Sequence, residues 1–210
     1  MRLNNSSLQG NVNDSGVLLF HDDFTDVDTT NLSAHTVSPK NLYNKLWVKD
    51  NTYDLTIVAN KLTSTGLDTT PEKENDHIVD LEVTNVTLES VIQFTVGTGT
   101  SLAFLLARYQ DSSNHVGIVI QQIGAYAISL ELRELTANVH TVLDVKLLDL
   151  SYHNAEVKLK LVDTGSELIG YLDDVELLRA SYTRLNAETS IGVKTQNDDV
   201  TFAYLKAWNT

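Results

Sequence analysis

Two short groups of acidic residues come closest to the spacing of a catalytic pair: Glu131-Leu132-Arg133-Glu134 and Asp80-Leu81-Glu82. Glycoside hydrolysis uses two carboxyl groups at a defined separation, one of them a nucleophile or base and the other a general acid. Neither group has that arrangement. Side chains alternate between the two faces of a strand, so Glu131 and Arg133 share a face. We therefore predict an ion pair between these two residues and no hydrolase activity.

Other catalytic patterns are missing from the sequence. No Gly-x-Ser-x-Gly marks an activated serine. Gly97-Thr98-Gly99 lacks the third glycine and the following helix of a phosphate-binding loop, so we predict a hairpin turn there. Six histidines are scattered without the spacing of a transition-metal site: His21, His35, His77, His115, His140 and His153. The chain is therefore predicted not to be an enzyme.

An acidic surplus restricts the partners that this surface can bind. The 210 residues include 15 Lys and Arg against 28 Asp and Glu, a formal net charge of −13. Such a surface repels nucleic-acid phosphates and anionic membranes, so neither is predicted as a partner. There is no cysteine, which excludes disulfides and thiolate metal sites. The first residues lack the apolar segment of a signal peptide, and no run of about 18 apolar residues occurs.

Alternating apolar and polar residues dominate the chain from Ile78 onward, which is the period of a half-buried strand. Residues 102–109 are nearly all apolar and predict a central strand covered on both faces. Residues 173–184 are the best helical candidate, but their acidic turn and flanking strands favour two strand ends. Lys158 and Lys160 predict an edge position for their strand. About thirteen strands with frequent turns predict an all-β antiparallel sandwich.

The sequence divides into a polar N-terminal arm, residues 1–16, and one domain, residues 17–210. The arm is rich in Asn, Ser and Gly and has too few apolar residues to order itself. We expect neighbouring subunits to hold it, which predicts a homo-oligomer or a larger assembly. The arm residues assigned to this contact are Met1, Arg2, Leu3 and Leu8.

Five short motifs lie between residues 17 and 208. They are Phe20-His21-Asp22-Asp23-Phe24 with Leu46-Trp47 and Lys61-Leu62, Ala107–Asp111 with Asn114–Ile118, Ile169–Leu177, Ile191-Gly192-Val193 and Val200-Thr201-Phe202. Together they resemble the concanavalin A-like lectin/glucanase superfamily of jelly rolls, which includes laminin-G-like domains and many carbohydrate-binding modules. The strongest motif is the hairpin around Asp173-Asp174, although Asp174 stands where the family has glycine. Ser190 likewise replaces a glycine expected two residues before Gly192.

The resemblance implies a jelly roll with Trp47 in its core. Glucanases of the superfamily carry Glu-x-Asp-x-x-Glu on one strand, which this sequence lacks. In related jelly rolls the first and last strands often lie side by side, which would cluster four carboxylates that suit calcium. These candidate calcium ligands are Asp22, Asp23, Asp198 and Asp199. The alternative is two solvated acidic turns.

Glycan binding would need exposed aromatic side chains with polar groups beside them. The candidates for such contacts are Tyr109, Tyr126, Tyr152, Tyr171 and Trp208. Most aromatic residues are expected in the core, and no sequence cluster marks a binding platform.

Three functional hypotheses follow. The first is a non-enzymatic virion structural protein, a bacteriophage capsid decoration or tail-associated protein that binds neighbouring subunits through the arm and a sandwich surface. The second is a carbohydrate-binding module or lectin-like adhesin that recognises a cell-surface glycan. The third is a divergent glycoside hydrolase. The first implies a location on the virion surface, with capsid or tail subunits as partners.

Overall fold

The computed structural model describes residues 16–35, 37, 39–41, 46–50, 54–64, 74–94, 100–123, 127–196 and 200–210. These residues form a two-layer β-sandwich with two short 3-10 turns, Leu32–Ala34 and Leu150–Tyr152. Its strands are β1 (Leu18–Asp22), β2 (Thr30–Asn31), β3 (Pro39–Asn41), β4 (Val48–Lys49), β5 (Thr56–Val58), β6 (Lys61–Thr63), β7 (Glu74–Asp80), β8 (Val86–Phe94), β9 (Thr100–Asp111), β10 (Asn114–Ile123), β11 (Ala127–Thr136), β12 (Val139–Leu147), β13 (Glu156–Asp163), β14 (Glu167–Leu172), β15 (Val175–Ser181), β16 (Ser190–Gln196), β17 (Val200–Phe202) and β18 (Leu205–Asn209).

The strands form two antiparallel sheets. In the described residues the larger sheet has eleven strands, with a main path β15-β14-β13-β8-β17-β6-β5-β2 and with β18, β1 and β3 alongside. The smaller sheet has seven strands in the order β12-β11-β10-β9-β16-β7-β4. The predicted all-β antiparallel sandwich is therefore confirmed, with more strands than expected because several are only two or three residues long.

The core lies between the sheets because alternate residues of each strand point inward. Leu88 and Ile92 of β8 face Leu105 of β9 and Ile118 and Ile120 of β10 in one buried cluster. Burial of a large aliphatic side chain stabilises the fold by about 1.5–3 kcal/mol. The predicted central strand is confirmed, since β9 is buried along nearly its whole length. Its even-numbered residues from Leu102 to Leu106 are buried on the outer face as well.

The hairpin between β14 and β15 turns at Asp173 and Asp174, which both have left-handed backbone angles, φ 50° and 66°. Two left-handed residues make a type I′ turn, whose twist matches that of paired strands. Asp is tolerated there because its short polar side chain bonds locally, and the Asp173 carboxylate accepts the Lys158 amide at 2.9 Å. The predicted hairpin is confirmed, and residues 173–184 contain no helix.

One strand position differs from the prediction. The strand carrying Lys158 and Lys160 is β13, which pairs with β14 on one side and β8 on the other. It is therefore interior to its sheet. The argument that lysine prevents pairing between sheet edges therefore does not apply to this strand. The side chains of Lys158 and Lys160 point to the outer face of the sheet.

The arm residues Met1, Arg2, Leu3 and Leu8 lie outside the described residues, so their assembly role and the division at residue 16 stay predictions. No helix in the described part of the chain is long and apolar enough to cross a membrane.

Candidate functional site

The outer face of the eleven-stranded sheet carries three half-buried aromatic side chains and a row of charged groups. One row crosses four neighbouring strands, because Tyr171 of β14 pairs with Lys160 of β13, Lys160 with Glu89 of β8, and Glu89 with Lys206 of β18. These residues point outward because the residues beside them on each strand enter the core. We call the surface formed by Tyr171, Tyr204, Trp208, Lys160, Glu89 and Lys206 the aromatic face.

Hydrogen bonds and ring contacts fix the aromatic face. The Tyr204 hydroxyl donates to Glu89 Oε1 at 2.8 Å. Lys206 Nζ lies 4.3 Å from the centre of the Tyr204 ring, and Lys160 Nζ lies 5.9 Å from the centre of the Tyr171 ring. A cation this close to an aromatic ring is attracted by its negative face. The rings and ammonium groups are thus held in place before any ligand arrives.

Both tyrosines of this face stay neutral over the physiological range. Burial, followed by the hydrogen bond to Glu89, raises the pKa of Tyr204. Burial, followed by the negative charge of Glu176, raises the pKa of Tyr171. A neutral phenol offers a hydroxyl group and an apolar ring, which is the combination that binds ligands with both polar and apolar surfaces.

The five sequence candidates for glycan contacts lie in different places. Tyr171 and Trp208 share the aromatic face. Tyr152 is half-buried in a 3-10 turn and packs against the core. Tyr109 is 2% exposed on the other sheet, so its ring offers no exposed platform. Tyr126 lies outside the described residues.

Sequence reasoning missed Tyr204, although a signal for it existed. Leu205 and Ala207 are apolar and alternate with Lys206 and Trp208, so their strand has one inner and one outer face. Tyr204 comes directly before this strand and bonds to the outward-pointing Glu89. That contact links β18 to β8, which are distant in the sequence, and local spacing alone does not reveal it.

The outer face of the seven-stranded sheet is organised differently. It holds a group that we call the carboxylate cluster: Asp50, Asp76, Tyr109, His115 and Lys194. The Tyr109 hydroxyl donates to the Asp50 carboxylate and lies 3.1 Å from Asp76 Oδ2. Lys194 Nζ lies 3.7 Å from Asp76 Oδ1, with both side chains 0% exposed. A hydroxyl donates one proton at a time, so the lysine charge is needed to balance the second carboxylate.

His115 completes the carboxylate cluster. Its ring stacks on Tyr109 with 5.7 Å between the centres. Burial, reinforced by the positive charge of Lys194, lowers the pKa of His115 to about 3. Burial, followed by the hydrogen bond to Asp50, raises the pKa of Tyr109. Both rings are therefore neutral near pH 7. His115 Nδ1 has no hydrogen-bond partner among the described residues.

The predicted ion pair between Glu131 and Arg133 is confirmed, with Arg133 Nε 2.7 Å from Glu131 Oε2. Ser129 donates to the other oxygen of Glu131 at 2.9 Å. Strand pairing places Glu131 four strands from Asp76, or roughly 19 Å at about 4.8 Å a strand. The carboxyl pair of a glycoside hydrolase spans only about 5–10 Å, so these two residues do not form one.

Asp22, a candidate calcium ligand, is fully buried and already holds three donors. Its carboxylate accepts the Phe24 amide at 2.9 Å and the Trp47 indole at 2.7 Å, and it lies 2.9 Å from His35 Nε2. Burial alone would lower the pKa of His35, but the hydrogen bonds and charges of Asp22 and Asp26 outweigh it and raise that pKa. Trp47 packs in the core as the resemblance implied.

A calcium ion at Asp22 would compete with these three donors for the carboxylate oxygens. Asp23 lies 2.6 Å from His21 Nε2, and Asp198 and Asp199 are outside the described residues. Within the part of the chain that the structure describes, no group of three or more metal-binding side chains occurs. Calcium binding stays a prediction.

No protein-family model matches the sequence, and no curated protein matches it. Solved structures do match the fold. The carbohydrate-binding module CBM66 of Bacillus subtilis is 18% identical, with a TM-score of 0.50 over 75% of this chain and 91% of that one. The CBM2 module of the evolved Dit protein of Lactobacillus casei BL23 phage J-1 is 8% identical, with a TM-score of 0.59 over 91% and 95%.

A third structure belongs to work on endo-acting O-glycanases with which members of the human gut microbiota initiate mucin breakdown. It is 10% identical, with a TM-score of 0.62 over 92% of this chain and 99% of that one. Binding modules and a glycanase thus share this architecture, and the fold alone does not separate the two activities. At these identities the likeness concerns the fold: the chain is a concanavalin A-like jelly-roll sandwich.

Proposed function

We propose that the chain is a non-catalytic carbohydrate-binding domain and that the aromatic face is its binding surface. The observation that carries the proposal is the grouping of Tyr171, Tyr204 and Trp208 around Glu89 on one outer sheet face. An aromatic ring packs against the apolar C–H surface of a sugar, while nearby polar groups bond to its hydroxyls. The similar structures described as carbohydrate-binding modules support the same function.

Several contacts support binding without catalysis. On the aromatic face Glu89 accepts the Tyr204 hydroxyl and lies between two lysines. Nearby Asp174 and Glu176 are in ion pairs with Lys158 and Arg179. Glycoside hydrolysis needs two carboxyl groups at a set distance across a substrate, whereas each of these carboxylates is already engaged by a cation or a hydroxyl group. This arrangement suits ligand binding better than hydrolysis.

The test is a glycan array followed by calorimetry on any hits. Replacement of Tyr171 or Trp208 by Ala should weaken binding about tenfold or more, because buried aromatic contacts carry much of the energy at binding surfaces. Tyr152→Ala is the matched control, since this tyrosine lies in the 3-10 turn that contacts β11 of the other sheet. Unchanged affinity in both face variants, or an array without hits, would refute the proposal.

A second candidate function is a structural role on a bacteriophage particle. It is favoured by the similarity to the phage J-1 Dit module, which covers 91% of this chain. Both functions are compatible if the domain displays a sugar-binding face on the virion. The protein should then sediment as an oligomer or attach to purified particles, and removal of residues 1–16 should weaken that attachment. A monomer whose attachment survives the truncation would contradict this role.

A further inference from the structure

We propose that two copies of this chain associate through strand β12, antiparallel to one another about a two-fold axis at Val145. β12 forms one edge of the seven-stranded sheet, and the aromatic face lies on the other sheet. β12 carries four exposed large apolar side chains, whereas no other strand in the described part of the chain carries more than one. They are Val139, Val142, Val145 and Leu147. An exposed apolar edge strand is a template for contact with another chain.

The sequence of this edge is complementary to itself. Residues 142–148 read Val-Leu-Asp-Val-Lys-Leu-Leu. A two-fold axis at Val145 sets each residue opposite the one that is equally far beyond the axis in the second copy. The facing pairs are Val142 with Leu148, Leu143 with Leu147, and Asp144 with Lys146. Apolar residues then meet apolar residues, and each copy contributes one carboxylate and one ammonium group to two reciprocal ion pairs.

Asp144 is held in position at this edge before a second copy arrives. Its Oδ1 accepts the Val145 amide at 2.8 Å, and its Oδ2 accepts the Arg179 amide of β15 at 2.9 Å. An ionised carboxylate has about four lone-pair sites, so these two bonds leave room for an ammonium group. Because Asp144 already bonds the Val145 amide, the two copies meet there through side chains and not through a continued backbone ladder.

Charge favours this edge over most of the surface as a contact between identical chains. Each copy has a formal net charge of −13, so two copies repel each other. Residues 142–148 contain one acidic and one basic residue and are neutral overall. The bulge in β12 opposite Leu132 and Arg133 and the presence of Lys146 hinder unselective edge pairing. Lys146 is balanced by a carboxylate in the two-fold register, which selects a second copy as the partner.

Sedimentation velocity of the intact chain tests the association. Small interfaces are weak, so the concentration should run from about 1 µM to about 1 mM, and we expect a concentration-dependent dimer. Val145→Asp places two carboxylates at the axis and should raise the dissociation constant about tenfold or more. Val48→Asp is the matched control and should leave the dissociation constant unchanged. Val48 lies on β4 at the opposite edge of the same sheet and is 56% exposed, against 51% for Val145.

Cross-linking tests the position of the axis. The chain has no cysteine, so Val145→Cys introduces a single thiol. Facing residues of antiparallel strands have Cα atoms about 4.5–5.5 Å apart, which is within the range of a disulfide. Mild oxidation should therefore trap a disulfide-linked dimer of Val145→Cys. Val48→Cys should stay unlinked under the same conditions.

The charge of Lys146 tests the register. Lys146→Glu sets like charges opposite each other at two points and should weaken the dimer about tenfold or more. Lys146→Arg should retain the dimer. Lys61→Glu makes the same change of charge at an exposed ion pair on β6 of the larger sheet and should not alter the association.

Three results would overturn the proposal. The first is a chain that stays monomeric over the whole concentration range. The second is a dimer that neither Val145→Asp nor Lys146→Glu weakens, including one that is lost only when residues 1–16 are removed, because the arm would then hold the copies together. The third is equal cross-linking of Val145→Cys and Val48→Cys, which would mean that the thiols react through random collisions.

Discussion

The two outer faces of this sandwich use the same residue types for opposite purposes. On the aromatic face Tyr204 donates to Glu89, and Lys206 stays half-exposed above the ring. In the carboxylate cluster Tyr109 bonds to Asp50 and Asp76, and Lys194 has no exposed surface. Water can reach the half-buried Tyr204 and Lys206 of the first face, but it cannot reach Asp76 or Lys194 in the second. The same tyrosine, lysine and carboxylate should therefore contribute to binding on one face and to stability on the other.

The sharpest way to break this comparison is to remove the lysine from each face. Lys194→Met leaves the buried Asp76 without its nearby cation and should lower the free energy of unfolding by about 3–5 kcal/mol. Lys206→Met is the matched variant on the aromatic face and should cost less than about 1 kcal/mol. Denaturant titration of both variants measures the difference. Equal losses of unfolding free energy in the two variants would contradict the contrast between a buried Lys194 and a half-exposed Lys206.

Removal of one hydroxyl from each face gives a smaller contrast. Tyr109→Phe deprives two carboxylates of their shared donor and should lower the free energy of unfolding by about 1.5–3 kcal/mol, as for bonds to charged groups. Tyr204→Phe removes the bond that the half-buried Tyr204 donates to Glu89 and should cost about 1 kcal/mol or less. Thermal and denaturant unfolding of Tyr109→Phe and Tyr204→Phe would measure the two losses of unfolding free energy. A larger loss in Tyr204→Phe would contradict the contrast.

The pH dependence of stability provides a third test. In the folded protein the pKa of His115 is lowered to about 3, whereas the unfolded chain has an ordinary value near 6.5. The unfolded state therefore binds the proton first as the pH falls. The contribution of neutral His115 to the free energy of unfolding is therefore fully present above about pH 6.5. Below that pH the free energy of unfolding falls by about 1 kcal/mol per pH unit. The difference in stability between the wild type and His115→Phe between pH 7.5 and 5 should show this slope.

His115→Phe keeps the ring that stacks on Tyr109 and removes the buried Nδ1. The variant should be as stable as the wild type near pH 7.5 and more stable than it at pH 5. A wild type that loses no more stability than the variant over this range would show that His115 titrates normally.

The smallest effect is expected at an exposed ion pair beside the aromatic face. Lys158 Nζ lies 2.5 Å from Asp174, with 31% and 64% of the two side chains exposed. Solvent and salt screen such pairs, so Lys158→Gln should change the free energy of unfolding by less than about 1 kcal/mol. A loss comparable with that of Lys194→Met would show that exposure does not predict the cost of losing a lysine here.

Alternation along the strands was enough to predict the fold, the position of β9, the Glu131–Arg133 pair and the turn at Asp173. These features depend on residues that are close in sequence or on the two-residue period. Alternation also shows which side chains leave the core. It does not show whether the outer face is covered, so Tyr109 looked like an exposed platform when it is buried. The position of Tyr204 near Glu89 depends on the pairing of β18 with β8, which no local pattern specifies.

The carboxylate of Asp22 has a consequence for the order in which the protein opens. It holds the amide of Phe24, the ring of His35 and the indole of Trp47, so one buried group joins three separate segments of the first fifty residues. Segments joined in this way should unfold together, because the loss of one hydrogen bond leaves the buried Asp22 carboxylate incompletely paired and weakens its other contacts. The amides of Phe24, His35 and Trp47 should therefore exchange with solvent as one cooperative unit.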